Sequence, residues 1–348
     1  MNIAIITLFG YFNHGNRLQN YAMQEILKKI DPKINVDTLR FGPNKTKKST
    51  RLLKKRKDNF KTWSQEHIKE RYVNFKDKEK ILNEYDFICI GSDQIFTPKS
   101  KLIFDLNFLD FIEPNKKFTY AASFGRSIIP KDLIKTYKKG LSSFNEVNLS
   151  VRENQGQTLI KNLTNKDSFI HIDPTLILTM KNYEEIIDKA MIEKDYILTY
   201  FLGKTSQNKI NIINNIAKKD NLKVININDP KYYVLNSGKF LGLLKNAKYI
   251  FSDSYHGILF SIIFRKNFIL IENRPKMRSR FNTLFNKFSL TDRSFETVIK
   301  LDNVLSGNIL EIDYSSLNLE NELLIEREKT FIYLKSKLGV YNGYRDNN

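Results

Sequence analysis

Tyr249-Ile250-Phe251 runs directly into Ser252-Asp253-Ser254-Tyr255-His256-Gly257 and then into the mostly apolar segment Ile258 to Phe264. A short apolar run ending in small polar residues reads as a buried strand, and the second segment reads as a helix returning over the sheet. That strand–turn–helix step is the unit of an open α/β sheet, which collects ligand-binding groups in the crevice beyond its strand ends. His256, one of four histidines, is therefore expected at a strand-to-helix turn, beside helix amides that favour an anion. The same residues also suit a capped core turn with a structural histidine.

The pattern repeats on both sides of this segment. Strands are expected near Ile3 to Thr7, Val36 to Leu39, Phe87 to Ile90, Phe118 to Ala122 and Leu149 to Arg152. They restart at Tyr196 to Leu202, Lys223 to Ile227, Tyr249 to Ser252 and Phe268 to Ile271, with amphipathic stretches between them. Alternation of this kind predicts parallel sheets built from βαβ units, and the restart predicts two domains. The expected division is 1–180, 181–312 and a C-terminal piece 313–348. In that piece Leu319, Leu323, Phe331, Leu334 and Leu338 form a helical stripe that stops at Gly339 and predicts a closing helix. The clearest early helix is Asn16 to Ile30, with Leu18, Ala22, Ile26 and Ile30 in register and Asn16 as its expected N-cap.

The chain has 348 residues and a formal net charge of +19, which points to an anionic partner: a phosphorylated substrate, an acidic membrane surface or nucleic acid. Between Lys45 and Lys61 lie nine Lys or Arg against one Asp. This reads as an exposed basic helix or loop: either a solvated face or an anchor to an anionic lipid or bilayer surface. Its basic charge also suits RNA, but no RNA-binding module is recognisable, and no nucleic acid is expected. The single cysteine, Cys89, lies in an apolar run and reads as a core residue. No run is long and apolar enough to span a bilayer, and the N-terminus reads as a strand. The expected location is cytoplasmic, with peripheral attachment to the inner face of the plasma membrane as an extension.

Several polar residues fall where strands should end. Asp93 and Gln94 follow Gly91-Ser92 and offer acceptors and donors to a polyol, or Asp93 caps the next segment. Arg152 ends Leu149-Ser150-Val151, where a guanidinium suits bidentate capture of carboxylate or phosphate, although Glu153 could pair with it structurally. Arg274, Arg278 and Arg280 follow the strand that ends near Ile271. The loop Gly10 to Gly15 aims amides at the same crevice but is neither a GxGxxG nor a Walker motif. No CxxC, HExxH or His–carboxylate cluster at ligand spacing occurs, so no metal site is expected.

Together, Gly15-Asn16-Arg17-Leu18-Gln19-Asn20-Tyr21-Ala22, Gly91-Ser92-Asp93-Gln94-Ile95, Tyr120-Ala121-Ala122-Ser123-Phe124-Gly125, Ser150-Val151-Arg152-Glu153, Asp173-Pro174-Thr175, Ser252 to Gly257 and Ser279-Arg280-Phe281 resemble the polysaccharide pyruvyl transferase family. The resemblance covers the chain from the first strand to about Phe285. It implies two Rossmann-like domains facing across a cleft, as in GT-B glycosyltransferases. It further implies phosphoenolpyruvate as donor and co-substrate, a sugar acceptor that is free or lipid-linked, a pyruvate ketal as product, and no cofactor. Within it His256 resembles the catalytic histidine, and Arg152 resembles the arginine that contacts the donor, with Ser254 and Tyr255 beside it. Some relatives carry an arginine where this chain has Ser254, so Arg280, with Arg278 in reserve, is expected to supply that charge. Asn13, Asn16, Gln19, Asp93 and Gln94 are the expected acceptor-side residues. The competing expectations are a GT-B glycosyltransferase using a nucleotide sugar and a polyanion-binding protein with a vestigial crevice.

Overall fold

The computed structural model describes residues 1–42, 50–97, 106–188, 195–203, 205–271, 278–295 and 310–340. Strands β1 (Asn2–Ile6), β2 (Asn35–Phe41), β3 (Glu70–Val73), β4 (Phe87–Asp93), β5 (Lys117–Ala122), β6 (Ser150–Val151) and β7 (Phe169–Ile170) form one sheet in the order β3-β2-β1-β4-β5-β6-β7. Strands β8 (Tyr196–Tyr200), β9 (Lys223–Asn226), β10 (Tyr249–Ser252), β11 (Asn267–Ile271) and β12 (Ser294–Phe295) form a second, ordered β12-β11-β10-β8-β9. Every pairing is parallel. Parallel sheets are covered by helices on both faces, which is why β1 buries Ile3, Ala4, Ile5 and Ile6 in an unbroken apolar run. The molecule is an α/β protein of two Rossmann-like domains with a closing C-terminal helix. The expected boundary at 180/181 falls at the start of the Met180–Glu184 helix, between the last strand of one sheet and the first of the other.

Two boundaries differ from expectation. Helix α1 runs His14–Ile30, and its N-cap is Asn13, whose side chain accepts from the Asn16 amide at 3.0 Å. Asn16 is thus inside the first turn. Likewise the helix after β10 runs Tyr255–Ile263 with Ser254 as its cap, so His256 lies in the first helical turn and not in the turn before it.

The domains share packing. One cluster of buried apolar residues runs from Ile5 and Leu18 through Leu176 and Tyr183 to Ile258, Phe285 and Leu334. The Leu319–Leu338 helix ends at Gly339, which adopts φ 66°, the left-handed conformation that glycine tolerates best. It bonds to both halves: the Tyr333 hydroxyl donates to the Thr119 carbonyl at 2.9 Å, and Lys287 pairs with its Glu326 at 2.7 Å.

Of the basic stretch, 45–49 lie outside the described residues; the rest belongs to helix α2 (Arg51–His67). This helix is not exposed all round. Arg56, Phe60 and Trp63 are buried, Arg56 donates to the carbonyls of Phe12 (2.7 Å) and Tyr233, and Asn59 donates to the Val234 carbonyl at 2.7 Å. One face of the helix therefore joins the two domains, while Arg51, Lys54, Lys55, Lys57 and Lys61 face solvent. No helix among the described residues is long and apolar enough to cross a membrane.

Candidate active site

Four adjacent strands of the first sheet deliver polar groups at their carboxyl ends. Asp93 ends β4, Ser123 follows β5, Arg152 follows β6, and Asp173 lies three residues past β7. The second sheet presents Tyr255 and His256 just past β10, and Arg280 comes from the Arg278–Phe288 helix. The carboxyl ends of the two sheets thus supply one polar cluster across the domain boundary.

Arg152 is at its centre and is 3% exposed. Its Nη1 donates to Asp173 Oδ2, its Nη2 lies 3.5 Å from Asp93 Oδ1, and its guanidinium sits 4.3 Å from the centre of the Tyr255 ring. Nε nevertheless makes no hydrogen bond, and Nη2 has only its long ion-pair contact with Asp93, so both buried nitrogens keep donor capacity to spare. Such donors are costly unless a ligand oxygen completes them. Arg280 reaches the same ring from the second domain, with its guanidinium 5.1 Å from the centroid. Both guanidinium groups thus stand over the Tyr255 ring, a placement its π-electrons favour. Burial and the neighbouring Arg152 charge push the Arg280 guanidinium down to about 10.

His256 is 7% exposed, and its Nε2 lies 3.4 Å from Asp173 Oδ2. The other side of the ring is pressed against α1. A Cβ built on Gly15 would stand 2.6 Å from His256 Cβ and closer still to Cγ and Nδ1, so only glycine fits there. Asp173 also accepts from the Thr175 amide at 3.0 Å and hydroxyl at 2.8 Å. Burial alone would raise its carboxyl, but His256, Arg152 and these donors hold it well below the usual carboxylate range. The Asp93 carboxyl is likewise buried, yet His256 and Arg152 outweigh that burial and lower it. Glu153 behaves oppositely: burial raises it despite Arg152, and its Oε1 accepts from Ser123 Oγ and the Phe124 amide, both at 2.9 Å. It pairs with the β5 loop and not with Arg152 as the sequence suggested.

Of the expected residues, the structure brings together Asp93, Arg152, Tyr255, His256 and Arg280. Ser254 is buried and spends its hydroxyl capping the His256 helix by accepting from the Gly257 amide at 3.3 Å. Arg278 opens the Arg278–Phe288 helix, half-buried, two residues and so about 200° around the axis from Arg280. Arg274 lies outside the described residues. On α1, Asn13 is the cap, Asn16 Oδ1 accepts from Arg17 Nη2 at 3.0 Å, and fully buried Gln19 donates to Thr7 Oγ1 at 2.9 Å. Gln94, half-buried, packs on Gly125. Sequence reasoning passed over Asp173 as a site residue, though an Asp directly before Pro174 at a strand end was a usable signal, and it had no signal for the Gly15–His256 contact. Among the described residues no group of three or more His, Cys, Asp or Glu is placed to hold a metal.

The family model for polysaccharide pyruvyl transferase matches residues 13–275. The chain belongs to the polysaccharide pyruvyl transferase family. No curated protein sequence matches it. Solved structures similar in fold include a putative UDP-N-acetylglucosamine 2-epimerase from Listeria monocytogenes (TM-score 0.61, 9% identity, 98% of this chain and 97% of that one). The S. aureus MnaA–UDP structure scores 0.57 at 12% identity, with 98% and 97% covered. Medicago truncatula UGT71G1 complexed with UDP-glucose scores 0.52 at 11% identity, with 97% and 98% covered. At such identities the likeness is one of fold, the GT-B arrangement of two facing Rossmann-like domains. In this polysaccharide pyruvyltransferase, the cluster around Tyr255 is where both domains contribute charged side chains to one point.

Proposed function

We propose that the chain transfers the three-carbon unit of phosphoenolpyruvate to two hydroxyls of a sugar in a surface polysaccharide or its lipid-linked repeat unit, forming a pyruvate ketal and releasing phosphate. The observation that supports this most is the pair Arg152 and Arg280, one from each domain, both over the Tyr255 ring beside His256. Phosphoenolpyruvate carries two anionic groups, a carboxylate and a phosphate, and two guanidinium forks are suited to both.

The chemistry follows from those groups. A proton added to the methylene carbon makes the methyl group and leaves an oxocarbenium-like centre, which a first sugar hydroxyl attacks. Phosphate then departs, and a second hydroxyl closes the ketal. Of the two hydroxyl protons, one replaces that delivered to the methyl group and the other leaves on phosphate. His256 is the acid–base group for these transfers, and Asp173 orients its ring. Arg152 and Arg280 stabilise charge on the departing phosphate. Asp93 and Gln94, at the mouth of β4, suit the acceptor hydroxyls, and no group beyond the side chains is called on. The solvent-facing cations of α2, with exposed Leu52 and Leu53, suit an anionic bilayer, each well-placed cation contributing about 1 kcal/mol.

The test is phosphate release that requires both phosphoenolpyruvate and a sugar acceptor. His256→Ala is expected to lower it at least about 100-fold with an unchanged melting temperature, and normal turnover would remove His256 from the mechanism. Thermal stabilisation by nucleotide sugars but not by phosphoenolpyruvate would favour a glycosyltransferase instead.

A further inference from the structure

One buried carboxyl at the reaction centre has no task in the mechanism above. Glu153, 2% exposed, directly precedes the Asn154–Thr164 helix, yet its side chain makes no capping bond to that helix. The carboxyl turns back over the end of β5, where Oε1 accepts from both the Ser123 hydroxyl and the Phe124 amide at 2.9 Å. Its other oxygen, Oε2, is buried and has no hydrogen-bond partner among the described residues. Holding the β5 loop needs only Oε1, and a buried oxygen left open is costly unless something completes it.

The reaction cluster surrounds this carboxyl. Arg152 is the adjacent residue. From the second domain, Thr283 Oγ1 accepts from the Asn154 amide at 3.2 Å, and Thr283 lies one turn after Arg280 on the same face of the Arg278–Phe288 helix. Arg152, Arg280 and Tyr255 are thus the titratable groups that face Glu153, each from a different element. Asp93 and Asp173 on Arg152, and His256 on Asp173, complete the set. Burial raises the Glu153 carboxyl, and Arg152, the Ser123 hydroxyl, Arg280 and the Phe124 amide do not offset it.

Charge decides which form of Glu153 meets phosphoenolpyruvate. Arg152 and Arg280 are matched one for one by Asp93 and Asp173, so an ionised Glu153 leaves these groups with one net negative charge before His256 is counted. A ligand carrying a carboxylate and a phosphate of about −1.5 to −2 would then enter a site of the wrong sign. A neutral Glu153 removes the surplus and turns Oε2 from an acceptor into an O–H donor, which an anionic oxygen can accept from.

We infer that Glu153 takes up a proton when phosphoenolpyruvate binds and donates from Oε2 to one of its carboxylate or phosphate oxygens, as a third binding group beside Arg152 and Arg280. The inference rests on the pyruvyl-transfer reading for the identity of that ligand. Glu153→Gln is the isosteric test, because the amide oxygen still accepts from Ser123 and Phe124 while its N–H stands in permanently for the O–H of the acid. Dissociation constants for phosphoenolpyruvate are measured by calorimetry in both chains from about pH 6 to about pH 9, which begins where the ligand's phosphate titrates. That phosphate and His256 are common to both chains, so the ratio of the two constants isolates position 153. The proton is present below the folded value of Glu153, so native affinity falls as pH rises through that value. The two chains are expected to agree within about threefold at the acid end. By the alkaline end the native chain is expected to bind at least about tenfold more weakly than the Gln chain and to take up about one more proton per ligand. A ratio that stays constant across the range, with equal proton uptake, would overturn the inference alone. Binding to neither chain would instead sink the choice of phosphoenolpyruvate, and the inference with it.

Discussion

Gly15→Ala adds a single methyl group where the two domains touch. The new Cβ would stand 2.6 Å from His256 Cβ and nearer still to the imidazole ring, whereas carbon atoms settle at about 3.5–4.0 Å. Relief requires the ring to move by roughly 1.5 Å. Neither neighbour yields easily: α1 is held by Arg17 on Glu70 and Gln19 on Thr7, and the His256 helix by its Ser254 cap. A displacement of about 1 Å in a reacting group costs about 100-fold in rate, or about 2.7 kcal/mol of transition-state stabilisation. Stability should change less, because overpacking costs about 1–3 kcal/mol and the gain in helix propensity returns up to about 1 kcal/mol. Phosphate release at saturating donor and acceptor measures the first effect, and urea denaturation the second. A Gly15→Ala chain whose kcat stays within about threefold of native, well short of the two decades expected, would refute the reasoning that fixes His256 against α1.

Arg152→Lys keeps a positive charge beside Asp173 and Asp93 but removes the fork, so the KM for phosphoenolpyruvate is expected to rise at least tenfold; initial rates of phosphate release against donor concentration check this. His171 is buried against Ser150 and Tyr333, and burial holds it at about 4 against an ordinary 6.5. Its folded value is the depressed one, so the unfolded chain takes up a proton below pH 6.5 that the folded chain refuses until about pH 4. Its contribution to stability is therefore complete above pH 6.5 and is lost as pH falls through that window, by about 3 kcal/mol in all. Denaturation of His171→Asn at several pH values should show a shallower loss of stability on acidification than the native chain.

Nine strands of the two sheets were legible as short runs rich in apolar residues, most clearly β1, β8, β10 and β11, which are buried along nearly their whole length. The missing three have physical reasons. Strand β3, Glu70–Val73, is an edge strand with only Val73 buried, and β7 and β12 are two-residue strands at the edges of their sheets. The closing helix was readable from its Leu stripe and terminal Gly339. The joining role of α2 was hidden by its charge, although Arg56, Phe60 and Trp63 recur at i, i+4 and i+7 and mark the buried face. At the site, the strand-end positions of Asp93, Arg152 and His256 were visible, since each follows an apolar run. What they meet was not: the contact of Arg152 and His256 with Asp173, and of His256 with Gly15, joins separate segments of the chain, and both His256 contacts cross the domain boundary.

The most direct measurement is a structure of the chain with phosphoenolpyruvate bound. Carboxylate and phosphate oxygens should lie on the Arg152 and Arg280 guanidinium groups, filling the open donors of Arg152, with the methylene carbon toward His256. Donor bound away from both arginines, or a nucleotide sugar occupying their place, would contradict the proposed reaction.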